Sequence, residues 1–265
     1  MKNKSIFRAF TRMGNLAIVN FSKGTKLKNK KNFARKILEE NLSVKTILEK
    51  SGKFKGRLRK QTTKHLLGEK TKEVLYKENG CVFRFNIDST YFSPRLSNER
   101  REIADAIRNS EEVFVMFAGV APFSVVIAKT SEAKKVYSNE LNREANKYGR
   151  LNAELNKLKN KIEFLDGDLK KVAENLKRKR KKFSAIVMPR PQLKDSFLKE
   201  AFSLSKKGTR IYYYDFCRLE DKDKIIDKIK SEAKKAKKKI RILKTKIAGE
   251  IAPYKIRFRV DFRVL

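Results

Sequence analysis

The stretch Val113-Phe-Val-Met-Phe-Ala-Gly-Val-Ala-Pro-Phe-Ser-Val-Val-Ile-Ala128 constrains this chain more than any other. Its first six residues are apolar without a break, the mark of a strand buried on both faces of a parallel sheet. Gly119 ends the run where the chain must turn sharply. Pro122 suits the first turn of a helix, where its missing N–H costs little. Strand, glycine turn and helix N-terminus together form a seat for a nucleotide-like ligand at the carboxyl end of a strand. Gly119-Val-Ala121 lacks the second glycine of the dinucleotide fingerprint, and most glycine turns of this kind bind nothing.

The rest of the chain arranges itself around that strand. Downstream, strand patterns at 112–118, 135–139, 161–165, 183–188 and 209–215 alternate with helix patterns at 121–130, 142–157, 168–178 and 194–205. Such alternation predicts an α/β fold with a doubly wound, mostly parallel sheet. A Lys-rich helix over 222–239 follows. Residues 242–247 and 255–264 then close the sheet as an antiparallel pair, with Gly249 and Pro253 in the turn. Upstream, 1–90 reads as a small α+β module: a strand at 16–21, a helix at 32–42, a strand at 44–48 and a basic turn-and-strand stretch at 53–60. Segments 73–76 and 81–87 alternate apolar and polar residues across Glu78-Asn-Gly80, a hairpin signal. Ser93-Pro94 and Ser97-Asn98 are helix-start chemistry for a helix running through Ile107. The expected domains are thus 1–90 and 91–265, and a 265-residue chain has room for both.

Charge narrows the partners. Lys and Arg number 67 against 30 Asp and Glu, a net charge of +37. Such a surface attracts polyphosphate through Coulomb forces and counterion release, although solvated charged faces account for the composition equally well. No apolar run reaches the roughly 18 residues of a membrane span, and the N-terminus lacks the apolar stretch of a signal peptide. His65 is the only histidine, and Cys81 and Cys217 stand far apart without metal-ligand neighbours. The reading is therefore no metal, no membrane, reduced thiols and a cytoplasmic protein.

Two acids fall at strand ends. Glu140 comes about 20 residues after the glycine turn, where a carboxylate accepts both ribose hydroxyls of a nucleoside. Asp168 follows the third strand of the alternating set and is either a helix N-cap or a partner for an adenine amine. No Walker lysine follows Gly119, so ATP phosphates have no obvious cradle. S-adenosyl-L-methionine has no phosphate and needs none.

With these residues in view, several blocks resemble the archaeal tRNA (guanine-37-N1)-methyltransferases. They are Tyr91-Phe-Ser-Pro-Arg-Leu-Ser-Asn-Glu-Arg100, Met116-Phe-Ala-Gly-Val-Ala-Pro-Phe123, Glu140-Leu-Asn, Gly167-Asp168, and Ala252-Pro-Tyr with Asp261-Phe-Arg-Val264. The resemblance is ordered and covers nearly the whole chain. It implies a class I, Rossmann-like methyltransferase domain with a small N-terminal module that helps to hold the anticodon stem-loop of tRNA. It further implies S-adenosyl-L-methionine as cofactor, and the expected state is a monomer. Glu99 matches the family's general base, Tyr91 a tyrosine near the flipped base, Arg95 a supporting arginine, and Arg59 an arginine at the guanine edge. Cofactor-side matches are Arg100, Phe117, Gly119, Pro122, Glu140, Leu141, Asp168, Leu169 and Pro189.

The bland readings stand beside these. Glu99 complements the dipole of a new helix, Arg59 is one of many surface cations, and Tyr91 packs in a core. The chain also departs from the family pattern. Val115 stands where Asp is frequent, Ala121 where Gly is common, and Met188-Pro-Arg-Pro191 replaces a motif whose Asn reads the guanine amine. Pro189 donates from neither side chain nor backbone. The separate domain that longer members use to sense the tRNA elbow is expected to be missing. The resemblance also leaves room for wybutosine-pathway chemistry on the same fold, either aminocarboxypropyl transfer or methylation of a tricyclic guanosine derivative. A non-catalytic RNA-binding protein is the remaining alternative.

Overall fold

A computed structural model describes residues 7–52, 61–108 and 111–265. The chain divides into two compact units, Met1–Pro94 and Arg95–Leu265.

In the first unit, β1 (Phe7–Met13), β2 (Leu16–Phe21), α1 (Leu27–Glu40), β3 (Thr46–Lys50) and β4 (Thr63–Gly68) form a four-stranded sheet in the order β1-β2-β3-β4 with one helix against it. The pair β2–β3 is parallel, with α1 as its crossover, and the outer pairs are antiparallel. Ala34 and Ile37 of α1 pack on Ala17, Val19, Ile47 and Leu66, which gives this sheet its own core. The predicted hairpin is present as β5 (Glu73–Glu78) and β6 (Cys81–Asn86). Asn79 and Gly80 take φ of 47° and 70°, the left-handed pair that a two-residue hairpin turn demands. Strands β1 and β4 were not expected from the sequence, and α1 begins five residues before the predicted start at 32. The basic stretch at 53–60 lies outside the described residues.

The second unit contains α2 (Ser97–Ala106), β7 (Glu112–Val115), α3 (Pro122–Thr130), β8 (Lys135–Glu140), α4 (Arg143–Leu155), β9 (Ile162–Asp166) and α5 (Leu169–Arg178). It continues through β10 (Phe183–Met188), α6 (Leu198–Ser203), β11 (Ser205–Arg218), α7 (Lys222–Lys235), β12 (Ile240–Ala252) and β13 (Lys255–Val264). The sheet order is β12-β13-β11-β10-β7-β8-β9. The run β11-β10-β7-β8-β9 is parallel, and β13 lies antiparallel to both of its neighbours. Strand order reverses between β10 and β7, so the crevice at their carboxyl ends is the topological switch point where α/β sheets take their ligands.

The expected architecture is observed, with local corrections. Val113, Phe114 and Val115 are fully buried as predicted, but the strand stops at Val115 because Phe117 already takes a φ of 55°. Helix α6 covers 198–203 rather than 194–205, since Leu193 and Asp195 spend their carbonyls on the Arg190 guanidinium. Gly249 lies within β12 between register shifts instead of in the turn, which is Pro253-Tyr254. No helix among the described residues is long and apolar enough to cross a membrane.

Candidate active site

The turn after β7 alternates its handedness: Phe117, Gly119 and Ala121 have φ of 55°, 58° and 64°. That alternation holds the Gly119 N–H toward the end of β8, where it donates to Glu140 Oε2 at 2.8 Å. Glu140 Oε1 accepts from the Asn142 N–H at 2.8 Å. Burial pushes the Glu140 carboxyl above the usual range, against the pull of the Asn142, Gly119 and Leu141 backbone donors. Ala121, an L-residue in the left-handed region, is the N-cap of α3, with Pro122 at its first position. The turn is braced from behind by α4. Asn152 Nδ2 donates to the Val120 carbonyl at 3.0 Å, and a Cβ at Gly149 would meet the Phe164 ring at 2.8 Å and the Ala121 methyl at 3.4 Å.

One carboxylate oxygen of Asp168 caps α5, accepting the Lys170 N–H at 2.9 Å. The helix-cap reading of Asp168 is thus observed. Leu169 is buried in the main core, Leu141 and Phe117 are half-buried, and the Phe117 ring meets Phe197 edge-on at 5.0 Å. Beyond β10, Pro189 is half-buried and the Arg190 guanidinium is wholly so. Arg190 is ion-paired with Asp215 of β11 and bonds the Leu193 and Asp195 carbonyls at 2.6 and 2.7 Å. Sequence reasoning passed over Arg190, whose partner is 25 residues away on another strand.

Helix α2 carries Glu99 and Arg100, 4% and 1% exposed, on the face it buries. The Arg100 guanidinium lies 5.7 Å over the Phe123 ring at the start of α3, and Phe123 meets Tyr214 edge-on at 6.1 Å. Tyr214 follows Tyr213, the partner of Met188 at the carboxyl end of β10, so it stands at the same rim as the glycine turn. Glu99 Oε2 accepts from the Tyr214 hydroxyl at 2.9 Å and from Arg259 Nη1 at 2.7 Å, and Oε1 takes Lys246 Nζ at 2.8 Å. Burial works to raise the Glu99 carboxyl, but Lys246, Arg259 and Tyr214 together hold it below the ordinary carboxylate value. Arg259 also binds Asp261 and Glu102, and Lys246 and Lys244 bind Glu102. None of these partners was visible in the sequence, because they reach Glu99 from strands more than a hundred residues away.

Arg95 is exposed in the short turn before α2. Tyr91 belongs to the first unit, where it lines a cavity of about 270 Å³ with Gln61, Thr90 and Phe92. Arg59 lies outside the described residues. Among the described residues no three His, Cys, Asp or Glu side chains gather as a metal site.

A seven-stranded sheet with β13 reversed, a glycine turn after its first strand and an acid at the end of its second defines a class I methyltransferase. Residues 74–243 match the TRM5/TYW2 methyltransferase domain and residues 2–71 the TYW2 N-terminal domain, and the chain belongs to the TRM5/TYW2 family. It is 32% identical over 97% of its length, and 74% of the relative's, to tRNA (guanine(37)-N(1))-methyltransferase Trm5b of Pyrococcus abyssi. The crystal structure of that Trm5b superposes with a TM-score of 0.85. To Taw22 of Nanoarchaeum equitans, a tRNA (guanine(37)-N(1))/4-demethylwyosine(37)-methyltransferase, it is 33% identical over 87% of this chain and 92% of the relative. The complex of aTrm5 with tRNALeu contains a chain 28% identical to this one, with a TM-score of 0.84 over 98% of this chain and 73% of that one.

Enzymes of this family use S-adenosylmethionine. The residues at the switch point fit it. Glu140 is fixed by backbone N–H groups, and a carboxylate has about four acceptor sites, which leaves capacity for a ribose hydroxyl. No Walker lysine follows Gly119 in the turn, in keeping with a cofactor that has no phosphate.

Proposed function

We propose that this protein methylates N1 of guanosine 37 in tRNA, holding S-adenosyl-L-methionine at the carboxyl edge of the sheet. The observation that carries the reading is Glu99: a buried carboxylate ion-paired with Lys246 and Arg259 beside the glycine turn, in a chain of this family. Bound there, S-adenosyl-L-methionine supplies a methyl group on a sulfonium centre.

The chemistry asked of the protein is modest. Guanine N1 must lose its proton to attack. Glu99 accepts that proton as the N1 electron pair bonds to the methyl carbon, and the carbon–sulfur pair stays on sulfur. Arg59 at O6 offsets the negative charge that develops there. Tyr91 and Arg95 flank the base, and Arg100, Phe117, Gly119, Pro122, Glu140, Leu141, Asp168, Leu169 and Pro189 surround the cofactor. Most of the rate then comes from alignment of nucleophile, methyl and sulfur. N1 lies on the pairing edge, so the base must be extruded, as an anticodon loop allows. The protein works on the anticodon stem-loop, as a monomer in the cytoplasm, with its +37 charge supplying affinity for the RNA backbone.

The likeness to Taw22, which extends over 92% of that relative, supports a second reading. The same carboxylate would then serve methylation of a tricyclic guanosine derivative at position 37. Mass analysis of the product nucleoside separates the two.

Unmodified transcripts and labelled cofactor test the assignment. Labelling should vanish when guanosine 37 is replaced by adenosine, and undiminished labelling rejects the site. Glu99→Gln should retain cofactor affinity within about twofold while turnover falls by roughly 10²–10⁴. A large loss of cofactor affinity instead would make Glu99 a structural residue.

A further inference from the structure

Glu99 is crowded by donors as it stands. Its Oε2 is taken by Tyr214 and Arg259, and its Oε1 by Lys246. Of its roughly four acceptor sites three are taken, and the remaining one lies on the buried Oε1 beside the Lys246 ammonium, so a purine N–H that docks there competes with that donor for the same oxygen. Arg259 is poorly placed to give way. Its side chain is 2% exposed, and its guanidinium is locked onto Asp261 at 2.8 and 2.9 Å and onto Glu102 at 2.7 Å. Tyr214 is buried in the core. Lys246 differs on every count. It projects from β12, the outermost strand of the sheet, its side chain is 34% exposed, and it already holds a second carboxylate, Glu102. Moving off Glu99 therefore leaves its ammonium paired.

We propose that Lys246 is the removable counterion of Glu99: it occupies Oε1 in the free enzyme, withdraws onto Glu102 when the purine N–H arrives, and thereby makes Glu99 a stronger base only once substrate is in place. The inference rests on the methyl-transfer reading above. It makes Lys246 a positioning residue, and it assigns Glu102, three residues along the same helix, the task of receiving the ammonium. The charged and titratable groups facing Glu99 are Tyr214 from β11, Lys246 from β12, Arg259 and behind it Asp261 from β13, and Glu102 from α2 itself. Helix α3 contributes the Phe123 ring against Tyr214. With Lys246 withdrawn, burial is opposed by Arg259 and Tyr214 only, and the carboxyl rises.

The pH dependence of kcat/KM reports the free enzyme and that of kcat the complex, so the two isolate the displacement. Both are measured with guanosine-37 transcripts for the wild type, Lys246→Met and Lys246→Arg, with thermal melting as a check of folding. In the wild type the acid limb of kcat should lie at higher pH than that of kcat/KM. Lys246→Met should move the kcat/KM limb up by about 1–3 pH units, the usual effect of removing a neighbouring opposite charge, and leave the kcat limb in place. Lys246→Arg should restore the separation. Coincident limbs in the wild type overturn the proposal. So do two limbs that shift together in Lys246→Met, since the lysine would then stay on Glu99 throughout, and so do limbs that do not move, since Lys246 would then only pack. If Lys246→Met fails to fold, Lys246→Gln takes its place with the same expectations. A wild-type chain with no activity on the transcripts fails the functional reading itself, a distinct outcome that takes this inference with it.

Discussion

Replacing Arg190 with Met tests how the loop after β10 is held. The guanidinium is fully buried and paired with Asp215, whose side chain is 10% exposed. Removing one partner of a buried pair costs about 3–5 kcal/mol, because the other charge is stranded. Here Asp215 keeps the Tyr213 hydroxyl at 2.9 Å and Lys228 at 3.2 Å, which argues for the lower end of that range. The carbonyls of Leu193 and Asp195 lose a charged donor but stand in a loop that can turn them to water. A loss of about 3 kcal/mol follows, or a melting temperature lower by about 6–12 °C for a unit of this size. The chain has no Trp, so urea unfolding is best followed by far-ultraviolet circular dichroism. Arg190→Met combined with Asp215→Leu should recover much of the loss, with a coupling of at least about 1.5 kcal/mol, since removing both charges leaves neither stranded. A single variant that loses less than about 1 kcal/mol, or a cycle with no coupling, would show that the pair does not hold the loop.

Glu140→Gln should weaken cofactor binding by about 10–100-fold in calorimetry, the worth of a charged hydrogen bond, and unchanged affinity would remove Glu140 from the site. Acid should loosen α2. Glu102 is held down to about 2, with burial outweighed by Lys244, Lys246 and Arg259, and Glu99 is also held below 4.5, so both stabilise the fold fully above the ordinary carboxylate value. That contribution is lost as pH falls from about 4.5 toward 2, with Asp261, raised by burial, working in the opposite sense. Melting temperatures across this window should fall less steeply for Glu102→Gln than for the wild type, and equal slopes would contradict the assignment.

Local chemistry explains which features the sequence disclosed. The Asn79-Gly80 turn, the buried β7 and the spacing from Gly119 to Glu140 each depend on residues close in sequence, and each could be read there. Strand β1, Phe-Arg-Ala-Phe-Thr-Arg-Met, sits at a sheet edge and needs no continuous apolar face, so it left little pattern. Helix α6 is shorter than its pattern because Arg190, anchored on Asp215, takes the Leu193 and Asp195 carbonyls ahead of it. The matched position of Glu99 could be found from a resemblance. Its surroundings could not, since Tyr214, Lys246 and Arg259 meet it through strand pairing between distant segments, and no periodicity encodes which cation faces which acid.

Ala121 holds a backbone conformation that a side chain resists, and it does so because Asn152 and the bare flank of Gly149 press on the turn from α4. Where the turn seats the methyl donor, as proposed, that seat is cast against a mould supplied by α4. On that reading the donor's hold is adjustable from α4: a slight slip of that helix would reshape the turn while every residue in it stayed the same.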